Sequence, residues 1–270
     1  MRNYRLEKPR YFISSLAKGL SLLQAFAEAG RALTLSEIAN AMEVNHTTAT
    51  RLCYTLTELG FIQRDDHRRY LPTPKVLTLG YAFISGSDWR EIAQYYLDSL
   101  FKEVHEAVNL STLDGPEILY VMRITKRNYL PFDIRIGTKL PVYCTAMGKV
   151  LMAMGQPEKV QPVLEKLEFR PLNARTITRL DKYLEELDKV RKKGYAINDE
   201  ELSIGNRAIA APVVDKDGYA VAAINIAVPS TQYSRREMEK TLTPHVMRTA
   251  REISDALLKI KARLVMGGSP

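Results

Sequence analysis

Cysteine is scarce in this chain of 270 residues. Cys53 and Cys144 lie far apart, without a CxxC pair, and the four histidines (His46, His67, His105, His245) are scattered. A structural zinc site needs clustered soft ligands at short spacing, so no metal is expected, and no cofactor either. A disulfide is not expected in a reducing compartment. Long apolar runs are also missing: none approaches the roughly 18–20 residues that cross a bilayer. The opening MRNYRLEKPRYF carries charge with no apolar core behind it, unlike an export signal, so the cytoplasm is the expected compartment. Nor is there a GxSxG, an HExxH, a phosphate loop or a dinucleotide fingerprint. An enzyme would have to rest on Cys144 as nucleophile with His105 as base. That requires adjacency in space and a lowered thiol pKa, so catalysis is not expected.

What is present is an ordinary globular composition, 46% apolar and 26% charged, in a chain long enough for two domains. The net charge of +8 suits a polyanionic partner. Residues 1–73 hold ten Lys/Arg against seven Asp/Glu, so the placement of those charges matters more than their total.

The stretch SSLAKGLSLLQAFAEA (14–29) spaces Leu16, Leu20, Leu23 and Ala27 as an amphipathic helix, with Ser14 or Ser15 as N-cap and Gly30 as the stop. In TLSEIANAM, Thr34 and Glu37 form a capping box ahead of a second helix. A third runs from about Thr47 to Leu59, capped by Asn45 and ended by Gly60, with Leu52, Leu56 and Leu59 facing inward. Three short helices with one tight break are the signature of a helix-turn-helix. FIQRDDHRRYLP then changes to a period of two around a charged turn at Asp65–Asp66–His67, which reads as a hairpin wing.

Beyond Pro72 and Pro74 the pattern predicts a linker helix over PKVLTLGYAFISGSD and a second helix over EIAQYYLDSLFKEVHEA. From Val108 the texture is α/β. Strands are expected at 108–113, 117–125, 130–136, 207–214 and 219–228, and helices at 146–154, 179–193 and from Arg235 onward. Ser234 and Glu237 cap the last helix, and Pro244 is placed to kink or break it.

A recognition helix buries one face and offers short polar or basic side chains to base edges on the other. In NHTTATRLCYTL, Leu52, Leu56 and Ala49 supply the buried face. Asn45, His46, Thr47, Thr48, Thr50, Arg51 and Tyr54 are left for the groove or the phosphates. Arg51 is long enough for guanine or phosphate. Arg64, Arg68 and Arg69 in the wing suit the backbone or the minor groove, where cations gain by counterion release. Double-stranded operator DNA is the expected partner; a winged helix used only for protein contacts is the plainer alternative.

At this point the sequence resembles the IclR family of bacterial transcriptional regulators over nearly its whole length. The motifs are SSLAKGLSLLQAF, TLSEIANAMEVNHTTATRLCYTLTELGFIQRDD, RYLPTPKVLTLGYAF, LPVYCTAMGKVLMA and GYAINDEELSIGNRAIAAPVVDKDGYAVAAINIAVP. ILYVMRI and LPVYCTAMGKVLMA, with GYAF, look most like the subgroup that regulates aromatic-acid catabolism. The resemblance implies an α+β chain: a winged helix-turn-helix at 1–73, a linker helix at 74–88, and a GAF-like effector domain at 89–270. It also implies dimers through the N-terminal modules, tetramers as dimers of dimers, and a small-carboxylate effector that changes operator binding. A constitutive regulator whose second domain only assembles the oligomer is the other reading.

Carried over by motif, the family's anion-binding loop falls on Thr145, Ala146, Met147 and Gly148 at a helix start, where free N–H groups and the dipole favour a carboxylate. Asn198 stands where the family is often acidic, Ala208 where relatives have Cys, and Asn225 and Ala227 where relatives have Ser. Tyr129, Phe132, Leu140 and Met147 are implied as an apolar wall, although side chains such as Tyr129, Phe132 and Met147 are more often plain core.

Overall fold

The computed structural model describes residues 10–85, 88–126 and 134–259. The chain divides into two units, Met1–Gly86 and Ser87–Pro270.

In the first unit, α1 (Ser14–Ala29) ends where Gly30 turns left-handed at φ 64°, its N–H returning to the Phe26 carbonyl. Neither serine caps it: the helix begins at Ser14, and Ile13 before it offers no side-chain acceptor. Leu22 and Phe26, one turn apart, enter the core, whereas Leu16 and Leu20 are 59% and 51% exposed and Ala27 also faces solvent. The expected stripe is therefore rotated, with Leu23 at its edge. The capping box of α2 (Leu35–Ala41) forms as expected, Glu37 N donating to Thr34 Oγ1 and Thr34 N to Glu37 Oε2. Helix α3 (His46–Glu58) is capped by Asn45 Oδ1, which accepts from Thr48 N at 2.8 Å.

Ala49, Cys53 and Leu56 form the buried face of α3. Leu52 is half-buried, and Leu59, expected inside, is 51% exposed. Leu59 sits at the helix C-cap, where its carbonyl receives Lys75 Nζ and its side chain has left the core-facing stripe. The wing pairs β1 (Ile62–Arg64) with β2 (Tyr70–Pro72), and Tyr70 also exchanges both backbone hydrogen bonds with Leu33, which ties the wing to the start of α2. A 3₁₀ turn (Pro74–Val76) leads into α4 (Leu77–Ser85), where one linker helix had been expected.

The second unit opens with α5 (Asp88–Val104), followed by β3 (Ala107–Asp114), β4 (Glu117–Ile124) and β5 (Lys139–Pro141). Next come α6 (Ala146–Met154), α7 (Pro157–Lys166), α8 (Leu180–Lys193), β6 (Ala196–Asp199), β7 (Asn206–Val214), β8 (Ala220–Pro229) and α9 (Arg235–Lys259). Among the described residues the sheet has the order β5-β4-β3-β8-β7-β6, antiparallel throughout. Most of the expected strand at 130–136 lies outside the described residues. Its end, 134–136, is not strand, and β5 takes that edge. Four-residue β6 is too short to show a period, and α7 carries Pro162 inside it, which hid both elements from a reading of the sequence. Helix α9 runs unbroken past Pro244, which is exposed, so the carbonyl that loses its helical partner lies on the solvent side.

Strand alternation gives the sheet two faces. Val108, Leu110, Met122, Ile209, Ile224 and Ile226 pack with α5 and α9. The opposite face is built of small residues, Ala208, Ala210 and Ala223 among them, beneath α6 and α8. Small floor residues let α6 come close, and Gly148 makes this strict: a Cβ there would lie 2.3 Å from the Val142 carbonyl oxygen.

Candidate functional site

The exposed face of α3 is one candidate surface. His46, Thr47, Thr50, Arg51 and Tyr54 all face solvent, and Thr48 is half-buried. Asn45 spends its carbonyl oxygen on the cap, so only its NH2 remains for a partner. Thr50 Oγ1 donates to the His46 carbonyl at 2.9 Å. The Arg51 guanidinium pairs with no side chain among the described residues. Cys53, beneath this face, has its thiol pushed up to about 11 by burial and acts as a core residue.

The wing's three arginines are not equivalent. Asp65 accepts from the backbone N–H groups of His67 and Arg69, and takes both Arg69 Nε and Nη2 at 2.8 Å. Burial raises the Asp65 pKa, but these hydrogen bonds outweigh it and hold the carboxyl below its ordinary value. Arg69 is thereby paired within the wing. Arg64 donates to the Arg68 carbonyl and lies over the Tyr70 ring. Arg68 sits in the turn at φ 62°, exposed.

The second candidate is a cavity between the alanine-rich face of the sheet and the start of α6. It offers about 30 Å³ to the centre of a water molecule. Among its lining residues are Thr145, Ala146, Asn198, Ala208, Asn225 and Ala227, all expected from the motifs. Leu140 is half-buried on β5, and Met147 is buried, its Sδ accepting from Ser111 Oγ. Neither of these two lines the cavity. Tyr129 and Phe132 lie outside the described residues.

Motif reading missed Ala107, Asn109, Tyr120, Arg123, Ile134, Leu202 and Asn206, which also line it. Register joins three of the lining residues. Asn225 on β8 faces Asn109 on β3, which faces Arg123 on β4. Arg123 Nη1 donates to Asn109 Oδ1 at 2.9 Å, and Asn109 Nδ2 donates to Asn225 Oδ1 at 2.7 Å. Arginine inside the apolar run YVMRI was the one signal the sequence carried for this relay.

The donors outnumber the acceptors. Asn225 and Asn198 are 4% and 2% exposed, and each has its side-chain oxygen occupied, the latter by Glu201 N at 2.8 Å. Their NH2 groups remain without partners among the described residues. Thr145 Oγ1 caps α6 by accepting from Gly148 N, and the N–H groups of Ala146 and Met147, at the positive end of the helix, have no partner among the described residues. No acidic side chain lines the cavity among the described residues. Such a lining is arranged for an anion.

Behind it, Lys149 is wholly buried, with Nζ donating to the Ile197 carbonyl at 2.9 Å and to Glu201 Oε1 at 2.5 Å. Burial pushes the Glu201 carboxyl above its usual value, and Lys149 pulls the other way. This pair ties α6 to β6 and to the backbone that fixes Asn198. Burial pushes the Cys144 thiol up to about 12.

A winged helix-turn-helix ahead of an α/β unit with a donor-lined cavity is the build of a DNA-binding transcriptional regulator. Residues 15–66 match the IclR helix-turn-helix domain, and residues 81–255 match the bacterial transcriptional regulator IclR C-terminal domain. The chain belongs to the IclR family. It is 34% identical over 247 residues to the Pca regulon regulatory protein of Pseudomonas putida, covering 91% of this chain and 84% of that one. It is 30% identical over 247 residues to the p-hydroxybenzoate hydroxylase transcriptional activator of Acinetobacter baylyi, covering 90% and 91%. A solved transcriptional regulator from Rhodococcus sp. RHA1 is 37% identical with a TM-score of 0.76, covering 92% of this chain and all of that one. The chain is thus a DNA-binding regulator and not an enzyme. No helix among the described residues is long and apolar enough to cross a membrane.

Proposed function

We propose that this regulator binds its operator through α3 and the wing, and that a small carboxylate, an aromatic acid or a related catabolite, modulates that binding from the α6 cavity. The observation that carries the effector reading is the convergence on one cavity of donors without partners among the described residues: the N–H of Ala146 at the start of α6 with the NH2 groups of Asn198 and Asn225. The aromatic preference is supported by the names of the two curated relatives, one a Pca regulon regulator and the other a p-hydroxybenzoate hydroxylase activator. In this reading residues 1–73 are the DNA-binding module, 74–88 the linker helix and 89–270 the effector domain, working in the cytoplasm.

The protein works as a dimer, and as a dimer of dimers. A single copy of the mildly charged module binds weakly, and a two-fold operator rewards a two-fold protein. Leu16 and Leu20, exposed on α1 beside Tyr11, Phe12 and Ile13, support a dimer contact there.

Calorimetry with a panel of benzoates and keto acids, followed by operator shift assays with each hit, tests the proposal. At least one acid should bind and change operator affinity, and Asn225→Ala should weaken it about tenfold, the worth of one hydrogen bond to a charged group. Unchanged binding of every hit to that variant sinks the assignment.

A further inference from the structure

The cavity is smaller than the ligand it is proposed to hold. A protein cavity that takes benzene measures about 150 Å³. This one offers about 30 Å³, room for about two water molecules. An acid with a ring enters only if part of the lining moves.

Most of the lining is fixed. Its alanine floor, Ala107, Ala208 and Ala227, lies on three neighbouring paired strands. Ala146 belongs to α6, which Gly148 holds hard against the Val142 carbonyl. Thr145 is bonded to the Pro141 carbonyl as well as from Gly148 N. Leu202 differs. Among the described lining residues it alone is both partly exposed and outside every helix and strand.

Leu202 sits on the connection from β6 to β7, whose anchoring bonds gather at its two ends. At the near end Glu201 N donates to Asn198 Oδ1. The Glu201 carbonyl accepts from Thr176 Oγ1 at 2.8 Å and from Asn173 Nδ2 at 3.2 Å. At the far end Gly205 N donates to Glu200 Oε2, and the Gly205 carbonyl accepts from Ser230 N, both at 2.9 Å. Between these anchors, among the described residues, the bonds are local: Ser203 Oγ to the Ile204 carbonyl, and Asn206 N to the Ser203 carbonyl. Ile204 is 61% exposed. What holds this stretch down is the Leu202 side chain, packed against the apolar cluster beneath α6.

We propose that residues 202–204 are the gate of the cavity, with Leu202 as its plug. The flap swings out between Glu201 and Gly205, both of which stay bonded, and the ligand enters where the leucine lay. Gly205, at φ 90°, takes up the turn at no steric cost. Opening breaks no backbone hydrogen bond to the sheet and leaves the Lys149–Glu201 pair in place, so its cost is the exposure of one leucine side chain. The inference rests on the cavity being the effector site and adds the route into it.

The test needs no effector, so its outcome is separate from that of the calorimetry above. In the full chain carrying Ala208→Cys, the new thiol lies in the cavity floor. Native Cys144 is buried, is not among the described lining residues, and reports opening of the whole unit. Methyl methanethiosulfonate, small and uncharged, is added, and peptide mass spectrometry reads the rate at each thiol. Leu202→Ala should speed modification at position 208 about tenfold, the effect of removing part of a leucine's buried surface, and leave Cys144 unchanged. Ile134→Ala, at a lining residue that is 4% exposed, should not raise the ratio of the two rates. Ala227→Cys repeats the measurement from the adjacent strand.

Equal acceleration of both thiols by Leu202→Ala overturns the gate, because the loop is then part of the general packing. An unchanged rate at position 208 overturns it too, as does a ratio raised by Ile134→Ala and not by Leu202→Ala. None of these results touches the carboxylate reading, which stands or falls with the acid panel.

Discussion

The side chains proposed to meet DNA lie on the outside of the winged helix, while those proposed to meet an effector are buried in the α/β unit and hydrogen-bonded there. On α3, Thr47, Arg51 and Tyr54 project into solvent from a helix whose other face supplies the core. In the second unit Asn109, Asn198 and Asn225 are buried, and each side-chain oxygen already has a donor. A surface that meets DNA can order its side chains on contact. A small cavity proposed to choose one acid among many gains by having its donors aimed beforehand, because ordering them on binding would cost affinity.

The comparison breaks most visibly at Lys149. Lys149→Ala leaves Glu201 buried without its cation, which should cost about 3–5 kcal/mol in a urea unfolding curve. A loss below about 1 kcal/mol would mean that Glu201 already finds water there, and that the inner unit is less fixed than described.

The next effect is on DNA. Arg51→Ala should lower operator affinity by about 1–3 kcal/mol if it reads a base, or flatten the salt dependence by roughly one phosphate contact if it does not. Arg69→Ala should do much less, because Asp65 already holds that guanidinium. Fluorescence anisotropy at two salt concentrations separates them, and equal losses would show that the ion pair opens on DNA.

The smallest effect is a pH dependence confined to the capping box. Hydrogen bonds from Arg31 and from Thr34 hold the exposed Glu37 carboxyl down at about 2. A depressed folded-state pKa stabilises above the unfolded value, here 4.5, and the contribution fades as pH falls toward about 2. The melting temperature of Glu37→Gln should lie below that of the native chain at neutral pH, and the gap should close across that window. A gap that is constant with pH would assign the effect to shape and not to charge.

The same contrast explains what could be read from the sequence. Helix α2, its capping box and the boundaries of α3 follow from residues within a few positions of each other, so they were legible. The outward face of α3 followed too, apart from Leu59, whose inward periodicity ended with the helix. The α1 stripe was misplaced because its spacing fits two rotations, and only the partner helices choose between them.

In the cavity, Thr145, Ala146 and Asn198 came from motif likeness. The Asn225–Asn109–Arg123 relay joins strands whose residues are up to 116 positions apart, and pairing of that kind leaves no local trace. The strand β6 and the proline-bearing α7 were hidden for simpler reasons, shortness and an interrupted period.

The alanine floor carries a consequence for how such a regulator changes its diet. Ala107, Ala208 and Ala227 sit side by side on three neighbouring strands, and each contributes only a methyl group. Strands accept β-branched residues readily, so one base change, alanine to valine or threonine, would raise a step or plant a hydroxyl in the floor. The framework of helices and the DNA-reading surface would stay as they are. With the cavity as the proposed effector site, descendants of this chain would change the molecule they answer to by single substitutions while keeping the same operator.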